Sequence, residues 1–350
     1  MFDLVKRLTE LSGPSGQEGP VLDAVEALWR EAGCRTERTR LGTLLGRAGG
    51  AGPRVLLVAH ADELCYLVRA IDPSGYLWLA NGQSWTRLVG QRNWFTVGQR
   101  VRVLARSGEL PGVIASATGH AATLRLNDLP EFDWDDLWVE TGLSEPELRR
   151  RGVTPGTRLV WDATTDRLGQ NVVGKALDDR AGLAVLCEVA RRAAVGGLGC
   201  ELVLAATVQE EIGIVGATAL AAREGFDAAL VVDSGLAGDV PKLGQQALPL
   251  RLGGGVALVH KDSMVHYDHA LTARLERLAE ARGVPLQHAV YGSYGSDGAA
   301  FMRHDVPTAL VTFPTRYTHT PFEMASLSDL EALVELLAAL AREGLGEGLG

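Results

Sequence analysis

Leu202-Val203-Leu204-Ala205-Ala206-Thr207-Val208-Gln209-Glu210-Glu211 is the stretch on which the fold turns. It runs without a charge from Leu202 to Val208 and then stops at two adjacent carboxylates. A short, continuous apolar run reads as a strand buried on both faces, the kind found in parallel sheets covered by helices. Three further runs have the same form. Val55-Leu56-Leu57-Val58-Ala59 leads into His60-Ala61-Asp62, and Ala228-Ala229-Leu230-Val231-Val232 leads into Asp233. Ala309-Leu310-Val311-Thr312-Phe313 is followed shortly by His319. In open α/β sheets, sites form outside the carboxyl ends of the strands. Metal-ligating side chains after all four runs therefore predict one site on one sheet edge.

Around these runs the chain alternates between helix and strand. Helical periodicity over Leu4–Leu11 and Val21–Trp29 precedes the first strands, and Ala181–Ala194, Gly213–Arg223, Ala270–Arg282 and Ser328–Arg342 read as later helices. Between them, the glycine-rich patch after Asp233 reads as irregular. Residues 64–163 have another texture. Short β-prone pieces such as Tyr66–Ile71 and Arg100–Leu104 alternate with turn residues such as Asp72-Pro73-Ser74-Gly75. Many short strands separated by turns predict a small all-β barrel or sandwich. The expected organisation is an α/β domain made of residues 1–63 and 164–350, interrupted by a β domain at 64–163.

Bulk properties narrow the function. The chain has 350 residues, 46% of them hydrophobic, enough to bury a substantial core. A formal net charge of −9 offers no basic footprint for nucleic acid. No apolar run approaches the roughly 20 residues that span a bilayer, and Met1-Phe2-Asp3-Leu4-Val5-Lys6-Arg7-Leu8 lacks the form of a signal peptide. A cytoplasmic protein with neither nucleic-acid nor membrane partners is expected. Cys34, Cys65, Cys187 and Cys200 are widely spaced in apolar segments and read as small buried hydrophobes.

The chemistry rests on a few side chains, each with a plainer explanation when taken alone. His60 and Asp62 sit at i and i+2, so at a strand end they face the same way. One ring nitrogen could then meet a cation while Asp62 accepts from the other; a surface His beside a surface Asp would look the same. Glu210 and Glu211 are costly neighbours unless a cation or solvent compensates, although a helix N-terminus also favours acidic residues. Asp178-Asp179-Arg180 opens a helix, where capping accounts for at least one aspartate. Asp233-Ser234-Gly235 has the composition of a turn, and His319 lies in a polar loop. Together they supply the inventory of a two-metal centre: one bridging carboxylate, with one His and one further carboxylate for each ion. These residues alone do not decide which aspartate of the pair would bridge.

Val58-Ala59-His60-Ala61-Asp62-Glu63, Ala176-Leu177-Asp178-Asp179-Arg180, Thr207-Val208-Gln209-Glu210-Glu211-Ile212-Gly213 and Arg316-Tyr317-Thr318-His319-Thr320 resemble the TET aminopeptidases, the glutamyl-aminopeptidase/cellulase-M group of dinuclear metallopeptidases. The resemblance runs over nearly the whole chain. It implies a zinc-exopeptidase type of fold, with a mixed, mainly parallel sheet flanked by helices and an inserted PDZ-like or barrel-like dimerisation domain. It also implies two divalent ions per subunit, with zinc, cobalt or manganese suiting the donor set. His60, Asp179 and Asp233 would hold one ion and Asp179, Glu211 and His319 the other, with Asp179 as the bridge. Glu210 would be the general base for a metal-activated water, and Asp62 would orient His60. The implied activity is removal of N-terminal residues from short, unfolded peptides inside a hollow tetrahedral dodecamer built from dimers.

The loop Gly292-Ser293-Tyr294-Gly295-Ser296-Asp297-Gly298 departs from the consecutive glycines and Thr-Asp pair common in that family, which bears on substrate preference. With no cation obvious in the loops around Asp233–Pro241 and Tyr291–Asp297, apart from Lys242 and Arg251 nearby, a neutral, aliphatic first residue is expected. The competing activities are a dinuclear-metal deacylase or amidohydrolase and a glycoside hydrolase. The latter uses two carboxylates and no metal, leaving the histidines unexplained. His266 and His269 read as structural, and His120, His260, His288 and His304 show no neighbouring ligand pattern.

Overall fold

The computed structural model describes residues 1–82, 96–116, 134–243, 246 and 248–346, and His120 lies outside them. The chain divides into two compact units: Met1–Asp62 with Thr164–Thr318 and Phe322–Gly350, and Glu63–Ala163 with His319–Pro321. In chain order the strands are β1 (Arg35–Arg38), β2 (Leu44–Gly49), β3 (Arg54–His60), β4 (Tyr66–Ile71), β5 (Leu77–Asn81), β6 (Arg100–Ala105), β7 (Gly108–Ala115), β8 (Trp138–Glu140) and β9 (Arg158–Trp161). They continue as β10 (Asp166–Leu168), β11 (Asn171–Gly174), β12 (Glu201–Thr207), β13 (Ala228–Leu236), β14 (Val256–Lys261), β15 (Leu286–Val290), β16 (Thr308–Arg316) and β17 (Glu323–Ser326). The helices are α1 (Phe2–Thr9), α2 (Gly19–Glu31), α3 (Glu145–Arg150), α4 (Leu177–Ala193), α5 (Val215–Arg223), α6 (His269–Arg282), α7 (Gly298–Met302) and α8 (Leu327–Glu343).

The first unit is a mixed sheet covered by helices, its strands ordered β1-β2-β12-β3-β13-β16-β17-β11-β10, with β14 and β15 branching from β16. The four apolar runs become β12, β3, β13 and β16, and these neighbours pair in parallel. Pairing turns antiparallel outward, through β2 on one side and β17 on the other. One face packs on α1, α2, α4, α6 and α8, the other on α5 and α7. Alternate residues divide accordingly: Leu57 and Ala59 enter the first core, Leu56 and Val58 the second. In α4, Leu183, Ala184, Val185 and Leu186 are all fully buried, as expected of a helix covered all round.

The second unit closes six strands into a barrel in the order β4-β5-β8-β7-β6-β9. Period-two patterning drives it: along β6, Val101, Val103 and Ala105 point inward between Arg100, Arg102 and Leu104. Closure leaves no free sheet edge among the described strands of the barrel.

The patch read as irregular holds a strand. β14 and β15 pair in parallel beyond β16, and Gly253-Gly254-Gly255 hides the start of β14. At Gly255, φ is +92° and an added Cβ would lie 2.2 Å from the Pro285 carbonyl oxygen, so the turn into β14 requires glycine there.

Candidate metal centre

Parallel register brings the first donors level. Thr207 of β12 pairs with His60 of β3, and Val231 of β13 pairs with Val58, so Asp233 falls level with His60 two residues on. The Asp178-Asp179 peptide, which is cis, opens α4. His60 Nε2 lies 3.1 Å from Asp178 Oδ1, and Nδ1 lies 3.5 Å from Asp62 Oδ1. Donor atoms of His60, Asp178 and Asp233 all come within 4.8 Å of one another. An oxygen of Asp178 comes equally close to one of Glu211.

Asp178 is thus the aspartate that groups with both His60 and Glu211, where the resemblance implied Asp179 for the shared place. The reason is the direction of the backbone. Asp179 turns its carboxylate away, so that Oδ2 accepts from the His60 backbone N–H at 3.2 Å, while Oδ1 has no hydrogen-bond partner among the described residues. Gly182 makes room for it, since a Cβ there would sit 2.2 Å from Asp179 Oδ1.

Asp62 is fully buried and well satisfied. It accepts from the Glu210 N–H at 2.9 Å, the Glu211 N–H at 3.2 Å and the Ser15 hydroxyl at 2.6 Å. Although burial opposes it, the His60 interaction and these donors hold its carboxyl below the usual range. Asp62 therefore fixes both His60 and the segment carrying the two glutamates. His319, three residues beyond β16, has a left-handed backbone with φ 64° and groups with the barrel unit.

Burial dominates the electrostatics of these groups. Burial lifts Asp233, Asp179 and Glu210 well above the carboxylate range, and neighbouring carboxylates add to it. Burial would lower His60, but Asp178 and Asp62 overcome it and hold the imidazole well above its ordinary value. An imidazole and several carboxylates crowded out of water fit a divalent ion, which would discharge them together.

Asp297 is a member of this neighbourhood that sequence reading assigned only to a pocket loop. It accepts from the Thr207 hydroxyl and is buried, which lifts its carboxyl to about 6. Its signal, Ser-Asp-Gly at the start of α7, is that of an ordinary helix start.

The model of the M42 glutamyl aminopeptidase family matches residues 42–336. The chain belongs to that family. FrvX of Escherichia coli (strain K12), which carries an aminopeptidase name, is 33% identical over 343 residues, covering 96% of this chain and 93% of its own. The crystal structure of a TET aminopeptidase from a marine-sediment Thaumarchaeota archaeon superposes with TM-score 0.90 at 29% identity, covering 99% of this chain and 98% of that one. The TET1 peptidase of Pyrococcus horikoshii, described as assembling into a tetrahedron or a large octahedral shell, gives TM-score 0.88 at 28% identity over 97% and 99%. This M42 protein is an aminopeptidase, hence a hydrolase, of a metallopeptidase family. Among its described residues no helix is long and apolar enough to cross a membrane.

Proposed function

We propose that this M42 aminopeptidase uses two divalent ions to remove N-terminal residues from short, unfolded peptides. His60 and Asp233 would hold one ion, Glu211 and His319 the other, and Asp178 would bridge them. The close grouping of His60, Asp178 and Asp233 is the observation that supports this most strongly. Bound ions supply Lewis acidity, polarising the scissile carbonyl and acidifying a water molecule. Zinc or cobalt suits these donors.

Glu210 follows β12 on the segment that Asp62 pins, and would accept the proton of the attacking water and return it to the leaving amine. Burial and the nearby carboxylates raise its affinity for that proton. Asp62 would keep the His60 ring turned for binding. A neutral or aliphatic first side chain fits the segment after Asp233, where Tyr294 donates to the Ser234 carbonyl at 2.8 Å and Tyr291 to that of Leu236 at 3.2 Å. Arg316 is engaged by Asp239 at 2.8 Å. The barrel, in this reading a dimerisation domain at residues 64–163, exposes Tyr76 and Val113. Dimers assembled into a cytoplasmic tetrahedral dodecamer would confine the sites to an internal chamber.

The test is hydrolysis of an aminoacyl-p-nitroanilide panel, with chelator and then with zinc or cobalt restored. Metal-dependent release from free-amine substrates, led by leucyl or alanyl compounds, is expected, with N-acetylated compounds untouched. Cleavage confined to acylated amines would instead favour an amidohydrolase, and chelator-resistant turnover would refute the two-ion reading.

A further inference from the structure

Away from the strand-end centre, three side chains converge from three elements. His260 lies on β14, His288 on the edge strand β15 and Glu276 on α6. His260 Nε2 and His288 Nδ1 are 2.9 Å apart, and the rings stack at 5.1 Å with 20° between their planes. Glu276 Oε1 lies 3.8 Å from His288 Nδ1, and donor atoms of all three residues fall within 4.8 Å of one another.

We propose that His260, His288 and Glu276 bind a single divalent transition-metal ion that ties β14, β15 and α6 together. Nothing in the peptidase chemistry uses these residues. A plain His–His hydrogen bond consumes one proton and leaves the approaching carboxylate without a purpose, whereas two imidazoles and a carboxylate make a three-ligand set for a borderline-soft ion with room for water at a fourth position. Imidazole donors select zinc, nickel or copper over magnesium or calcium.

The backbone is built for the convergence. Val259 pairs with Ala289 and Lys261 with Val290, so His260 is the extra residue of a β-bulge, the device that re-aims a side chain. Zinc–nitrogen bonds of about 2.0–2.1 Å require the two nitrogens to part by a few tenths of an ångström. β15 is the sheet's edge strand, with Val290 60% exposed, and can yield that much.

The test compares the zinc-loaded, desalted enzyme with His288→Ala and His260→Asn variants by equilibrium dialysis against micromolar zinc and elemental analysis. The wild type should hold one more ion per chain than either variant, and Glu276→Gln should weaken that ion at least tenfold. Copper(II) added to the zinc-loaded wild type should show two-nitrogen hyperfine coupling by electron paramagnetic resonance, absent from His288→Ala. Equal ion counts in the wild type and the half-exposed His288→Ala variant would overturn the proposal. Because the readout is a difference between proteins with the same strand-end centre, it stands whether or not peptidase activity needs two ions.

Discussion

At the scale of single residues, the proposed mechanism separates proton transfer from ion binding. Glu210→Gln should lower turnover by about 10²–10⁴-fold while metal content stays unchanged. Asp178→Asn should instead deplete the bound ions, because it removes the carboxylate grouped with His60, Asp233 and Glu211. Asp179→Asn can still accept from the His60 N–H and should keep more of its metal than Asp178→Asn. Elemental analysis beside kinetics distinguishes them, and the reverse order of metal loss would return the bridging place to Asp179. This choice was hidden in the sequence. Both aspartates stand at one helix start, and only the direction of the backbone sends one to the imidazole ring and the other to a backbone amide. The strand-end position of His60 was legible, because its apolar run stops at the ligand, whereas β13 continues three residues past Asp233 to Leu236. Asp297 was not legible, since its partner Thr207 belongs to a distant strand.

At the scale of elements, the start of α8 carries a titrating clamp. Asp329 is buried and accepts from the N–H groups of Gly253 at 2.7 Å and Gly255 at 2.8 Å, holding the turn into β14. Burial outweighs those donors and lifts its carboxyl from 3.8 to about 6. A raised acid favours the folded state when protonated. Its contribution is complete below about pH 4 and is lost as pH rises through about 6, a change on the order of 1–3 kcal/mol. Asp329→Asn should remove that slope. Urea titrations of both proteins at pH 5 and pH 7 measure it, and equal pH dependence would rule the clamp out. The elements themselves were read from the sequence within a few residues where periodicity was strong, as in β4, β12 and α6. β14 was missed because three glycines precede it and its partner β15 lies some thirty residues later in the chain; short strands take their identity from such pairing. The barrel's β character was visible in its alternating residues, whereas its closure depends on which strands pair.

At the scale of the whole molecule, assembly is the property most open to measurement. A dodecamer built from dimers should elute at about twelve chain masses by light scattering, with dimers as the smallest species on dilution. Particles of one chain mass would refute the enclosed-chamber reading. Charge and hydropathy offered no basic footprint and no long apolar run, and they carry no information on stoichiometry, which depends on surfaces that no single-chain periodicity encodes.

The long separation between donors also sets a schedule. His60 is joined by Asp178 across 118 positions of chain. At about 5–20 residues per second, synthesis leaves the imidazole waiting roughly 6–24 s for that carboxylate, and longer for Asp233. An unfinished chain on the ribosome therefore carries a histidine but no centre. The nascent chain itself cannot act on peptides until the carboxylates that follow have emerged.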